Sequence, residues 1–470
     1  MRRKGRCSVV FVVITSLGTL VLHGAEFYVA TNGNDVTGDG SAAAPFRTFD
    51  KAHSVMAAGD DIFVGPGVHA TNRLRITKSG TANNPIVVAP VPGARPVLDM
   101  LWRDEPCVLI YGRHVVVEGL ELRNSSNMCA RLHGESNVLR RCIAHHAVSH
   151  GIMTSGTNNV IEGCEVYLTV LENAARGANA GWGSGVKVFY GAKNSVIVSN
   201  VVYHNYGEGI CVTRGMGAVV RQNVSYDNYS VLIYVDNSYE VVVEKNHCYS
   251  LGHSGFTREG RMAAGIALAE EQYSGWGAQL RDVRVINNVV CFADRGFIYY
   301  GSDVAGGGLS NVVVAYNTFW GSSNTAISVE YQGGKLGGSY IANNIVQQPA
   351  GAVAWVDDRY VGKAGLKLFH NFWVGMRPAD WRNCNGPGDR TGSVAFVREP
   401  VVTDAYSFVI AEGSAPCGGA TNIFGVREDY AGVARPAIPR THDMGAFQAI
   451  PEGGAVLGGV LWVLVKLRRC

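Results

Sequence analysis

The chain has 470 residues, 59 of them glycine, with 47% hydrophobic residues and only 17% charged ones. That balance excludes a disordered chain and a charged helical bundle and points to a β-rich, turn-rich protein. The formal net charge is +3, but seven of the 41 Lys and Arg lie in the two ends, so the body is net acidic, near −4, and no basic face or arm supports a nucleic-acid partner.

Residues 1–25 have the form of a secretory signal. Arg2, Arg3, Lys4 and Arg6 precede an apolar run from Ser8 to Leu22, and Ala25 is placed for cleavage. The protein is therefore expected to be exported by a bacterial cell, either secreted or held at its surface.

Residues 26–448 are expected to form one domain. Its entry module, 26–100, reads as strand, Gly/Asn/Asp loop, short helix, strand, then early rungs of a coil. Phe46, Phe49, Val55 and Met56 give one apolar helical face over 46–57. Such a helix would cap the bare backbone edge of a solenoid's first rung. The opening contains Asn32, Gly33, Asp35, Gly40, Pro45, Phe46 and Thr48, then Gly59, Asp60, Ile62, Val64 and Gly67, then Ser79, Gly80, Thr81, Asn84, Pro85 and Ile86. This pattern resembles the start of secreted right-handed parallel β-helix proteins of the pectate-lyase-like superfamily. The resemblance implies an all-β fold, a right-handed parallel β-helix with an N-terminal capping helix.

The middle of the chain repeats. Asn200, Asn223 and Asn246 are each 23 residues apart, and each repeat carries a short alternating run: Val186/Val188, Ile210/Val212, Ile233/Val235. A period in the low twenties with β-branched alternation and turn asparagines is a β-solenoid signature. One unit cannot bury its apolar face alone, but stacked units can. Cys142 and Cys164 fill the asparagine position in earlier rungs, and Asn288, Asn317 and Asn344 fill it later. The asparagines are expected to stack as a buried amide ladder and the two cysteines as small buried hydrophobes. Nine cysteines remain once Cys7 and Cys470 in the ends are set aside, an odd number that rules out a full disulfide framework; Cys384 and Cys417 are the candidate pair. His145, His146 and His150 follow no established metal-ligand spacing.

Insertions interrupt the period at 170–184, at 251–264 and, from the opposite end of a strand, at 269–281. Loops at matching corners wall a sheet, which is where solenoids carry function. Residues 345–448 are expected to be the last rungs and a closing segment whose final strand seals the C-terminal end. PEGG at 451–454, an apolar run from Ala455 to Val465 and then Lys466, Arg468 and Arg469 resemble a bacterial sorting tail. The run is short for a free membrane span, which needs ~20 residues, so membrane contact is expected only through this tail, and the body is expected to be a monomer.

Alternation assigns the chemistry. If Val186 and Val188 point in, Lys187 points out, with Tyr234 two rungs on. Glu208, Asp236 and Glu270 flank these strands and join Lys187 and Tyr234 as candidate catalytic residues. Trp182, His204, Arg214, Asn237 and Tyr273 are candidate substrate-binding residues. Aromatic rings with polar groups along an extended groove suit a polysaccharide. The stretch SGVKVFYGAKNSVIVSNVVYHNYGEGI resembles polysaccharide lyase family 9, whose rungs carry an outward lysine base and a calcium site made of several aspartates. Lys187 sits where that lysine would; Ser184-Gly185 and Glu208-Gly209 stand where the aspartate pairs would. No metal ligand is assigned from the residues, and Ca2+ is a possible cofactor through the resemblance alone.

The favoured expectation is β-elimination at a uronate. Arg214 or a bound cation would neutralise the carboxylate, Lys187 would be the base if neighbours lower its pKa, and Tyr234 would be the acid. One alternative is a glycoside hydrolase using two of Glu208, Asp236 and Glu270. Another is a non-catalytic carbohydrate-binding or structural surface protein.

Overall fold

The computed structural model describes residues 24–175, 182–301, 307–330, 337–348, 352–356, 366–375, 386–423, 425–436 and 442–450. The leader, the tail and Cys384 lie outside them. Three parallel sheets of 13, 13 and 11 strands run the length of a right-handed coil. The first sheet runs from Glu26–Val29 to Leu366–Phe369, the second from Gly67–Ala70 to Arg390–Gly392, and the third from Leu74–Ile76 to Ala352–Val356. One rung takes one strand from each sheet in turn, as in Val196–Val198, Val201–Tyr203 and Glu208–Thr213. In the third sheet Val186, Ile210, Ile233 and Ile266 align on successive strands, and all four are fully buried. Stacking like on like keeps this single core continuous from rung to rung.

The capping helix spans Phe49–Val55, shorter than the sequence pattern suggests. Thr48 is its N-cap, accepting a hydrogen bond from the Lys51 amide, and Asp35 fixes Thr48 through both its amide and its hydroxyl. Phe46, assigned above to the helical face, instead bridges Val29 as an extended residue. Phe49, Ala52 and Met56 still bury one face over the coil's end.

The asparagine ladder stands at the corner between the first and second sheets. Oδ1 of Asn223 accepts from both the amide and Nδ2 of Asn200 at 2.9 and 3.0 Å, while Asn223 Nδ2 donates to Ile197 O. The pattern repeats through Asn246, Asn288, Asn317, Asn344 and Asn371, and Asp389 accepts the last amide. The residue before each ladder asparagine, such as Ser199 or Gln222, is left-handed, and that conformation turns the corner sharply enough to aim the amide inward. Cys142 and Cys164 occupy the same buried position, and the Cys164 amide donates to Asn200. A second, shorter ladder of Thr169, Asn205 and Asn228 lies at the corner between the second and third sheets.

The closing segment is described over 386–423, 425–436 and 442–450. Strand Arg390–Gly392 adds to the second sheet, and the chain then folds back along the flank over the ladder corner. Asn343 and Thr421 exchange two hydrogen bonds, Glu428 pairs with Lys245 at 3.1 Å, and buried Arg435 reaches Asn287. The return pass covers the left-handed residues of this corner, where Asn287 donates to Glu428 O and Tyr316 and Asn343 both donate to Thr421 O. Among the described residues the cysteines, Cys417 included, are free thiols.

Candidate functional site

The site is built on the outer face of the third sheet. Lys187, Cys211, Tyr234, Ala267 and Ile298 form one outward column on five adjacent strands. Asp236, Ala269 and Tyr300 belong to the next column. Trp182 and the 251–263 loop, with its Arg258–Arg261 hairpin, wall one side; Glu271 and Tyr273 of the 271–280 loop wall the other. The enclosed cleft is about 630 Å³, with Lys187 at its floor and Arg214, Arg258, Arg261 and Arg295 around it.

Lys187 is 7% exposed and donates to Cys211 Sγ at 3.1 Å. Glu208, 6% exposed, accepts from the Ser184 hydroxyl at 2.8 Å. Burial by itself disfavours the Lys187 ammonium, but Cys211, Glu208 and Asp236 together outweigh it and hold its pKa above the ordinary lysine value. This corrects the expectation that neighbours lower it. Burial pushes the Cys211 thiol up to about 11, against the attraction of the Lys187 ammonium. Burial also raises Glu208, against the attraction of Lys187.

Arg214 stands in an aromatic cage, its guanidinium 5.3, 4.9 and 4.4 Å from the rings of Phe189, Tyr190 and Tyr273. Its Nε is buried with no hydrogen-bond partner. The Tyr234 hydroxyl donates to Glu271 at 2.8 Å, and its ring lies parallel to Tyr300 at 6.1 Å. Burial holds Tyr234 well above the usual phenol range. Tyr273 donates to Asp236 at 2.5 Å; burial raises Asp236 to about 7 despite that bond.

Not every expected residue reaches the cleft. Glu270 sits inside the coil wall, where its carboxylate accepts the Leu280 and Gly308 amides at 2.7 and 2.9 Å, an anchor for loops; Glu271, one residue on, takes the place in the cleft. Asn237 is fully buried and accepts the Glu271 amide at 2.7 Å, so it holds the loop and not a ligand. His204 stacks on Phe256 at 4.6 Å and packs beneath the 251–263 loop. Asp236 lies behind Tyr273. Trp182, Lys187, Glu208, Arg214, Tyr234 and Tyr273 line the cleft together, with Arg258, Arg261, Glu271, Arg295 and Tyr300, which the sequence did not single out. The arginines of FTREGRM were within reach, because that segment was already recognised as a wall loop.

The donor set does not suit calcium, a hard cation that takes six to eight oxygens. Glu208 is satisfied by Ser184, an ammonium occupies the floor, and among the described residues no three His, Cys, Asp or Glu side chains converge. His145 and His150 do not supply one either: His145 stacks on Tyr167, and His150 accepts the Ser184 amide.

Two family profiles match the chain: "Pel9A-like, right handed beta helix region" over residues 27–228 and "Right handed beta helix region" over 168–346. A search of curated proteins finds no match. Among solved structures, pectate lyase Pel9A is 15% identical with a TM-score of 0.51, over 91% of this chain and 97% of its own. The complex of XylC with xylose gives 11%, 0.53, 91% and 99%. A mannuronic-acid-specific polysaccharide family 6 lyase from human gut microbiota gives 16%, 0.51, 78% and 91%. At such identities the likeness is one of fold. Both profiles fall on the three-sheet coil, and with these likenesses they show that the chain is a right-handed parallel β-helix similar to the pectate-lyase-like proteins.

Proposed function

We propose that the protein is an exported enzyme that cleaves an acidic polysaccharide by β-elimination at a uronate. The observation that carries this reading is a buried lysine on the floor of a cleft ringed by four arginines and walled by aromatic rings. Arginine forks suit carboxylates, and aromatic rings suit sugar faces. The two similar lyases, one named for pectate and one for mannuronic acid, act on acidic chains and support the substrate class.

Elimination removes the proton beside the carboxylate, forms a carbon–carbon double bond and expels the glycosidic oxygen, which takes up a proton. Arg214, caged and with a free buried Nε, would bind the carboxylate and stabilise the charge that builds on it. Neutral Lys187 would take the carbon-bound proton, and Tyr234 would protonate the leaving oxygen. Lys187 must lose its own proton first, and its raised pKa makes the neutral amine scarce at neutral pH. Burial holds Tyr234 well above the usual phenol range, so it carries a proton to give. The active window is therefore alkaline. The export reading rests on the basic and apolar pattern of residues 1–25.

Glu208 supports a second reading. A buried carboxyl with a raised pKa suits the acid of a glycoside hydrolase. The test is to incubate the mature protein with polyuronates and neutral glycans and follow unsaturated-product absorbance and reducing ends against pH. An unsaturated product whose rate climbs through the neutral range toward 10.5 is the expected result. Reducing ends without unsaturation, fading as pH rises, assign the hydrolase. Binding without cleavage assigns a carbohydrate-binding protein.

A further inference from the structure

The cleft is not where the cations of the third sheet end. In its outward column Arg75 aligns with Leu109, Leu109 with Arg131, Arg131 with Met153 and Met153 with Lys187. Arg75, Arg131 and Lys187 thus recur on every second strand, ~9.6 Å apart at the usual strand spacing. The intervening outward residues, Leu109 and Met153, are apolar.

These two arginines differ from their neighbours on the other sheets. Arg123 pairs with Asp99 and Glu121, Arg140 and Arg141 both pair with Glu118, and Arg113 lies near Glu135. Arg75 and Arg131 have no acidic partner among the described residues. The Arg131 Nε is buried without a hydrogen-bond partner, and burial lowers its pKa. Tyr111, 47% exposed, lies under Arg75 at 5.5 Å and stacks on His133 at 4.9 Å. Arg75 is exposed, whereas Arg131 holds a desolvated donor that is costly unless an acceptor completes it.

We propose that Arg75 and Arg131 extend the cleft into a binding track along the coil axis, for an acidic polysaccharide that presents one carboxylate per disaccharide. Two rungs match the advance of two extended sugar units. A chain charged on alternate sugars would set a uronate at the rungs of Arg75, Arg131 and Lys187 in turn, its carboxylate on the arginine at the first two, and a neutral sugar at the rungs of Leu109 and Met153, which are buried. The track rests on the reading of the cleft as a polysaccharide site, and it narrows that reading to an alternating copolymer.

The test uses affinity electrophoresis of the mature protein in gels containing hyaluronan, with one uronate per disaccharide, polygalacturonate, with one per sugar, or neutral dextran. The wild type is expected to be retarded most by hyaluronan and not by dextran, with the retardation relieved by added salt. The Arg75→Gln/Arg131→Gln double variant, with an unchanged melting temperature, is expected to bind hyaluronan about fivefold more weakly. Equal retardation of wild type and double variant overturns the track. Retardation by polygalacturonate that equals or exceeds that by hyaluronan overturns the alternating period, and no retardation by either overturns both. If hyaluronan retardation depends on the two arginines while no glycan is cleaved, the lyase reading fails and the track stands.

Discussion

Lys187 faces the cleft and is buried there, 7% exposed. Its neighbours Val186 and Val188 carry the core, so truncating it opens no cavity inside the coil, but its ammonium offsets the buried Glu208 carboxyl. Lys187→Ala is expected to lower turnover by roughly 10²–10⁴-fold and to lower the melting temperature as well, because it leaves that carboxyl without its cation; wild-type turnover in the variant would sink the assignment. Asp236 makes a different prediction. Its native carboxyl stays protonated up to about 7, against 3.8 when exposed, so between those values the folded state binds the extra proton and stability falls as pH rises. The loss is complete above about 7. Asp236→Asn removes the carboxylate, so the melting temperature of the variant relative to wild type is expected to climb across that window and then level off. His150 and His247, each pushed down to about 3 by burial, act in the opposite sense but equally in both proteins, so they cancel in the difference. A constant difference across the window would refute the assignment. The residue scale is also where the sequence reading slipped. Counting by twos from Ile266 and Leu268 puts Glu270 inward and Glu271 outward, and the structure agrees. Acidity cannot separate these two glutamates, and only strand parity does. His204 and Asn237 could not have been sorted this way, since they lie in turns where alternation stops.

At the scale of elements, the ladder and the wall loops were legible because each leaves a mark in spacing. A ladder needs one amide per rung, which fixes a period of 23, and a wall loop shows as an interval that exceeds it. The physical weight of the ladder is that of paired, buried polar groups. Asn223 accepts from the Asn200 amide and its Nδ2, and it donates to Ile197. Asn223→Ala takes the acceptor from the Asn200 amide and from one of its two Nδ2 hydrogens, the other still bonding Ile161 O, and takes a donor from Ile197 O, at ~1–3 kcal/mol for each buried group left unpaired. A loss of about 3 kcal/mol or more in denaturant unfolding is expected. Cys164→Ala at the equivalent position of an earlier rung removes only a small apolar group, and about 1 kcal/mol is expected there. Equal costs would mean that the ladder contributes through packing alone. The shorter ladder through Asn205 and Asn228 went unnoticed because it covers too few rungs to establish a period.

At the scale of the whole molecule, the return pass of the closing segment left no trace in the sequence. Its contacts join Asn287 to Glu428 and Tyr316 to His442, separations of more than a hundred residues that carry no periodic signal. Arg435 is the buried charge among the ties between this pass and the coil. Arg435 lies 4.0 Å from the Tyr316 ring centroid and donates to the carbonyls of Asp443 and Gly445 and to the side chains of Gln448 and Asn287. Among the described residues no carboxylate bonds it directly, and burial lowers its pKa to about 10. Replacing it with leucine fills part of the volume but strips donors from several buried acceptors at once, the kind of loss that opens a segment locally before the core unfolds. The coil beneath keeps its own stacked core and its own ladder. Arg435→Leu is therefore expected to make residues 425–450 exchange amide hydrogens and admit protease at least tenfold faster, while strands of the third sheet around Lys187 keep wild-type protection. Faster exchange throughout the coil would mean that the return pass is part of one cooperative unit with the rungs. Unchanged exchange in 425–450 would mean that the aromatic contacts of Tyr406, Tyr430 and Phe447 hold it without the arginine.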